Sequence, residues 1–110
     1  MNIEQIDKVF FVTAQIEVDD LENLQLEGFD SIVCNRPDNE EPDQPMAQDL
    51  KIECEKLGLK FLHLPMMTPI YAEKYKTTLL EFLKINEKTL GFCRTGRRAL
   101  VMYKGANELK

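Results

Sequence analysis

Apolar residues in this chain gather into short runs separated by longer amphipathic stretches, and that alternation predicts the order of its elements. Residues 8–14 (KVFFVTA), 31–35 (SIVCN), 60–66 (KFLHLPM) and 89–93 (TLGFC) are apolar runs of strand length. They are apolar at successive rather than alternate positions, the pattern of strands covered on both faces. Between them the spacing becomes helical. Asp19 with Glu22 gives a capping-box start, Leu21, Leu24 and Leu26 follow, and Gly28 stands where a helix C-cap belongs. Met46, Leu50, Cys54 and Leu57 form the stripe of a second helix, predicted from near Pro45 to Leu57 and ended by Gly58. Thr68-Pro69 opens a third helix carrying Tyr71, Tyr75, Leu79, Phe82 and Leu83. A fourth, entered directly from RTGRR, holds Leu100, Val101 and Tyr103.

Strands alternating with helices predict an α/β sandwich with a four-stranded, mostly parallel sheet and helices on both faces. In such sheets ligands bind beyond the carboxyl ends of the strands. The loops at 35–44, 65–70 and 93–98 should therefore share one rim. At 110 residues the chain fits a single domain, 1–110, with no room for a second core.

Composition narrows the function. The 44% hydrophobic and 30% charged fractions are ordinary for a soluble globular protein, and no apolar run approaches membrane-spanning length. The N-terminus lacks the basic-then-apolar pattern of a secretory signal. Cys34, Cys54 and Cys93 form neither a CxxC pair nor an even framework, which points to a reduced, cytoplasmic setting without a structural metal. No cofactor is called for. The net charge of -5 argues against nucleic acid or an acidic membrane as partner.

Charge placement changes that picture locally. Ten of the nineteen acidic residues lie between Glu17 and Asp43, whereas Arg94, Arg97 and Arg98 fall within five consecutive positions. The segment FCRTGRR sets a cysteine at a strand end and arginines at a helix start, with glycine between. Amides of a strand-to-helix turn make an anion nest, reinforced by the helix N-terminus. Gly96 permits the tight bend. The same field favours the thiolate of Cys93, and Arg98 can return to the mouth and hold two oxygens of an oxyanion. Arg94, Thr95, Gly96, Arg97 and Arg98 are the candidate anion-binding residues, and a small anion is the expected partner. The plainer alternative is a buried strand-end cysteine beside surface arginines. Cys34 and Cys54, each within an apolar run or stripe, read as core, and His63 as a core or rim residue.

AQI at 14–16, GFDSIVCNRPDNEEPDQP at 28–45, GLKFLHLP at 58–65 and FCRTGRRA at 92–99 carry a resemblance to a known family. Over nearly its whole length the chain resembles the DUF442 family, the phosphatase-like domain also found fused to β-lactamase-like hydrolases and labelled in places as sulfurtransferase. The resemblance implies a tyrosine-phosphatase-like fold with sheet order 1-4-2-3, counting the predicted strands along the chain. The NRPD loop would then border the cysteine loop. It implies Cys93 as nucleophile and Arg98 as the anion-holding arginine.

Several positions depart from the tyrosine-phosphatase pattern. Cys93 and Arg98 have one residue fewer between them, a loop length that resembles rhodaneses, which carry a persulfide on cysteine. Phe92 stands where the phosphatase histidine is usual, and Ala99 where a hydroxyl residue is. No aspartate lies between Leu57 and Asn86, the region where such phosphatases keep their general acid. Glu73 is the rimward carboxylate candidate in that region, and Asp38 is the tentative substitute from the neighbouring loop, with Glu40 and Glu41 beside it. The sequence thus supports a cysteine-dependent phosphatase-like hydrolase first. A rhodanese-like sulfurtransferase comes second and a non-catalytic anion-binding module third.

Overall fold

A computed structural model describes residues 1–108. The strands are β1 (Glu4–Gln5), β2 (Phe10–Thr13), β3 (Ser31–Cys34), β4 (Lys60–His63) and β5 (Thr89–Phe92), and the helices are α1 (Leu21–Leu26), α2 (Ala47–Leu57), α3 (Lys76–Lys84) and α4 (Arg97–Glu108). They form one sheet of order β1-β2-β5-β3-β4. The expectation of a four-stranded sheet is therefore corrected to five, and the order as a whole differs through the added edge strand. β1 pairs antiparallel with β2, whereas β2, β5, β3 and β4 run parallel.

Apolar character at successive strand positions serves two covered faces. Ile32, Cys34, Leu90 and Phe92 pack with Leu21 and Leu24 of α1 and Leu50 and Cys54 of α2. Val33 meets Leu79 of α3 and Met102 and Ala106 of α4, while Phe10 and Val12 meet Ala99 and Tyr103 of α4. Phe10 and Tyr103 stack with ring centroids 4.0 Å apart. Gly91 belongs to that stack, because a Cβ there would lie 2.6 Å from the Phe10 ring.

The predicted strands are trimmed at their ends. KFLHLPM stops at His63, before Leu64 donates to Cys34 O at 2.8 Å and before Pro65, which has no N–H for the ladder. The first helix begins with a 3-10 turn, Val18–Asp20, and its reciprocal capping box joins Glu17 and Asp20 rather than Asp19 and Glu22. The third starts later than Thr68-Pro69, with a 3-10 turn at Glu73–Tyr75 ahead of α3. Tyr75 there donates its hydroxyl to Pro65 O at 2.8 Å, and Tyr71 lies against Gly105 of α4. Those contacts hold the segment in irregular backbone. α2 ends as predicted, with Gly58 in the left-handed region at φ 77°.

Candidate active site

Strand register brings the site together. Thr13, Phe92, Cys34 and His63 are successive partners at the carboxyl ends of β2, β5, β3 and β4, so the segments following each meet at one edge. Asn35 ties them. Its N–H donates to Phe92 O at 2.9 Å, its side-chain amide donates to Leu64 O at 2.8 Å, and its carbonyl accepts from Met66 N–H at 3.0 Å. The residue before Cys93 and the loop after β4 are thereby fixed to the end of β3.

Cys93 leaves β5 and enters a turn of three residues before α4 begins. Its Sγ accepts the Gly96 N–H at 3.1 Å. Gly96 has φ 98°, and a Cβ there would sit 3.2 Å from Thr13 O, so both conformation and space require glycine. Thr95 Oγ1 accepts the Arg97 N–H at 3.4 Å at the open end of α4, and Gln15 N–H donates to Arg94 O at 3.2 Å. All three cysteines are buried, Cys93 as fully as the others. What separates them is surroundings. Burial pushes the thiols of Cys34 and Cys54 up to about 12, consistent with structural roles.

Arg98 folds back over the loop. Nη1 donates to Glu40 Oε2 at 2.7 Å and to Met66 O at 2.8 Å, and Nη2 donates to Glu40 Oε1 at 2.9 Å. Cys93 lies close enough to act electrostatically on the same guanidinium and, with Glu40, helps to raise its pKa. The two-pronged contact predicted for an oxyanion is thus made here with a carboxylate of the chain. Hydrogen bonding from Arg98, opposed by burial and reinforced by Arg36, holds the Glu40 carboxyl down at about 2. Arg94 and Arg97 are exposed at the rim, and Arg94 Nε reaches Glu41 Oε1 at 3.4 Å.

Sequence reasoning assigned no role to Arg36, which is 2% exposed. Its Nε donates to Glu40 Oε1 at 2.8 Å, its Nη2 to Glu41 Oε1 at 2.7 Å and its Nη1 to Gln15 Oε1 at 3.0 Å. His63 Nε2 lies 2.8 Å from Arg36 O, a backbone contact at the rim. The signal available was a lone arginine inside a strongly acidic segment, next to the end of an apolar strand. Asp38, the tentative proton donor, accepts the Ala47 N–H on its Oδ1 at 2.8 Å and so caps the start of α2. Asn39, with φ 66°, turns the chain so that Glu40 and Glu41 face the arginines.

Beside Arg98 opens a cleft of about 440 Å³, lined by Arg36, Glu40, Glu41, Met67, Pro69, Arg94 and Arg98. Its walls are mainly charged, and its size suits a small ligand. An anion in this cleft would meet the guanidinium groups of Arg94 and Arg98, with Cys93 buried behind them.

Known proteins share this arrangement of elements. A candidate phosphatase from Neisseria meningitidis Z2491 superposes with a TM-score of 0.81 at 30% identity, over 94% of this chain and 74% of that one. Tk-PTP in its active form superposes at 0.68 over 98% of this chain and 76% of its own, but at 20% identity, a likeness of fold alone. The β-lactamase hydrolase-like protein of Xylella fastidiosa Temecula1 is 28% identical over 104 residues, covering 94% of this chain. The chain spans only 24% of that relative's length. Residues 2–108 match the family described as β-lactamase hydrolase-like protein, phosphatase-like domain, and the chain belongs to that family.

Proposed function

We propose that the protein is a cysteine-dependent phosphatase-like hydrolase in which Cys93 attacks a phosphate ester bound in the 93–98 loop. The observation that carries this reading is the Gly96 N–H donated to the Cys93 sulfur at the start of a helix, whose second residue is Arg98. Such donors, fixed before the substrate arrives, stabilise charge spreading over transferring phosphoryl oxygens. The thiolate forms an S–P bond as the ester P–O bond breaks. Water then attacks phosphorus, releases phosphate and restores the thiolate. The backbone amides of residues 94–98, with Arg98, hold the non-bridging oxygens.

The leaving oxygen sets the substrate class. Asp38 caps α2 and is not among the cleft-lining side chains, while Glu40 and Glu41 are held by arginines. Glu40, whose carboxyl Arg98 holds down at about 2, is ionised and cannot donate a proton. General acid catalysis contributes roughly 100- to 10,000-fold, so its loss restricts the enzyme to esters whose alcohols leave readily as anions. The same observation, with the short Cys93–Arg98 loop, favours a second reading. In sulfur transfer Cys93 would take sulfane sulfur from a donor such as thiosulfate, with no proton needed.

Purified protein assayed against an aryl phosphate, and separately against thiosulfate plus cyanide, tests the choice. Phosphate release that disappears in Cys93→Ser and Arg98→Met, both still folded, is the expected result. Release that survives Cys93→Ser would end the proposal.

A further inference from the structure

Arg98 has five N–H donors, and their use shows which edge of its guanidinium remains for a ligand. Nη1 spends both hydrogens, on Glu40 Oε2 and Met66 O, and Nη2 spends one on Glu40 Oε1. The remaining donors, on Nε and Nη2, form the one edge still able to grip two oxygens. With Nη1 spent, the Nε–Nη2 edge is the part of the guanidinium that Glu40 and Met66 leave unused. Glu40 thus takes the Nη1–Nη2 end of the fork and leaves the Nε–Nη2 edge free for an anion.

Glu40 lies on an irregular loop, and something must hold it. Arg36 supplies that anchor. Its Nε meets the same Oε1 that receives Arg98 Nη2, at 2.8 Å and 2.9 Å. Its other two nitrogens are fixed by Gln15 and Glu41. Because Arg36 is enclosed and bonded in three directions, it has no freedom to swing away. Glu40 is therefore clamped between an immobile cation and the arginine of the loop.

We propose that Arg36 is a positioning residue that acts through Glu40 to fix the Arg98 guanidinium with its Nε–Nη2 edge free to hold an anion. The proposal rests on Arg98 as the anion-holding side chain of the loop. Two residues of the NRPD segment then share the work, with Asn35 fixing the backbone around the loop and Arg36 the orientation of its arginine. Misplacement of a reacting group by about 1 Å costs on the order of a hundredfold. Lysine cannot replace Arg36, since one ammonium cannot reach partners in three fixed directions.

The test compares alkylation of Cys93 by iodoacetate and iodoacetamide, followed by intact mass. The ratio of the two rates reports how well an anion is held beside the sulfur, whichever reaction the enzyme performs. In the wild type it should favour the anionic reagent, and Arg98→Met should abolish that preference. If Arg98→Met leaves the ratio unchanged, the anion-site reading itself is wrong. Given an effect of Arg98, Glu40→Gln and Arg36→Lys should each lower the ratio by about tenfold. The double variant should be no worse than either, because both act along one path. A ratio that rises in Glu40→Gln would show instead that Glu40 obstructs the site, and an unchanged ratio would show that it has no part in it. An effect of Glu40→Gln without one of Arg36→Lys removes Arg36 from the account. If Arg36→Lys does not fold, ¹⁵N relaxation of the guanidinium Nε–H groups decides. Arg36 and Arg98 should both be rigid in the wild type, and Glu40→Gln should loosen Arg98 while Arg36 stays rigid; an Arg36 already mobile in the wild type, or an Arg98 that stays rigid in Glu40→Gln, would refute the clamp.

Discussion

Cys93, Cys34 and Cys54 are all enclosed, yet their surroundings assign them different chemistry. The sulfur of Cys93 receives an amide N–H and lies beside a guanidinium, whereas burial raises the other two thiols to about 12. Iodoacetamide at pH 6 should therefore modify Cys93 first, and peptide mapping that found Cys34 or Cys54 labelled ahead of it would contradict the assignment. Glu40 leaves a second signature. Its carboxyl falls from an ordinary 4.5 to about 2 in the folded protein. A depressed folded value means stability present above pH 4.5 and lost as pH falls towards 2. Urea midpoints of the wild type should accordingly fall more steeply through that window than those of Glu40→Gln. Equal slopes would mean that Glu40 is not held by Arg98 in solution. The cysteine loop was legible in sequence because its parts lie within six consecutive residues, Cys93 to Arg98. The Arg36–Glu40–Arg98 chain was not, since it needs strand register, a left-handed turn at Asn39 and contacts between residues far apart in sequence.

Among the elements, the parallel strands and the extent of α2 followed from apolar patterning, while β1 did not. A strand of two exposed residues, Glu4 and Gln5, has no period to read and exists only through its pairing with β2. The late start of α3 has a related cause, because tertiary contacts of Tyr71 and Tyr75 override the Thr68-Pro69 start signal. Gly105 offers a test of that packing. In an isolated helix Gly→Ala gains up to about 1 kcal/mol. Here the new Cβ would lie 2.2 Å from the Tyr71 ring, so Gly105→Ala should instead destabilise, by about 1–3 kcal/mol in denaturant titration. With Tyr71→Ala in the background the sign should reverse. Asp38 is tested in the same way. Asp38→Ala removes the acceptor for the Ala47 N–H and should cost about 1 kcal/mol while leaving the dependence on leaving group unchanged. A change in that dependence would restore Asp38 as the proton donor.

At the scale of the whole molecule, the sheet edge gathers the ends of β2, β5, β3 and β4 beside one cleft, and the carboxylates of its 38–41 loop are engaged with arginines or a helix start. No helix among the described residues is long and apolar enough to cross a membrane. A hydrolase of this design should depend steeply on the leaving group. Nitrophenyl phosphate should turn over far better than phosphotyrosine, whose phenol has a pKa of about 10. A shallow dependence would require a proton donor outside the 38–41 loop, or movement of that loop. The central claim is that Cys93 carries the phosphoryl group. Its most direct test is the mass of Cys93 peptides after a millisecond denaturing quench, during turnover of an aryl phosphate. A phosphoryl adduct on Cys93, absent in Cys93→Ser, is the predicted result. No adduct and no phosphate release, together with a cyanide-sensitive persulfide on Cys93 after thiosulfate, would contradict the account and make the protein a sulfurtransferase.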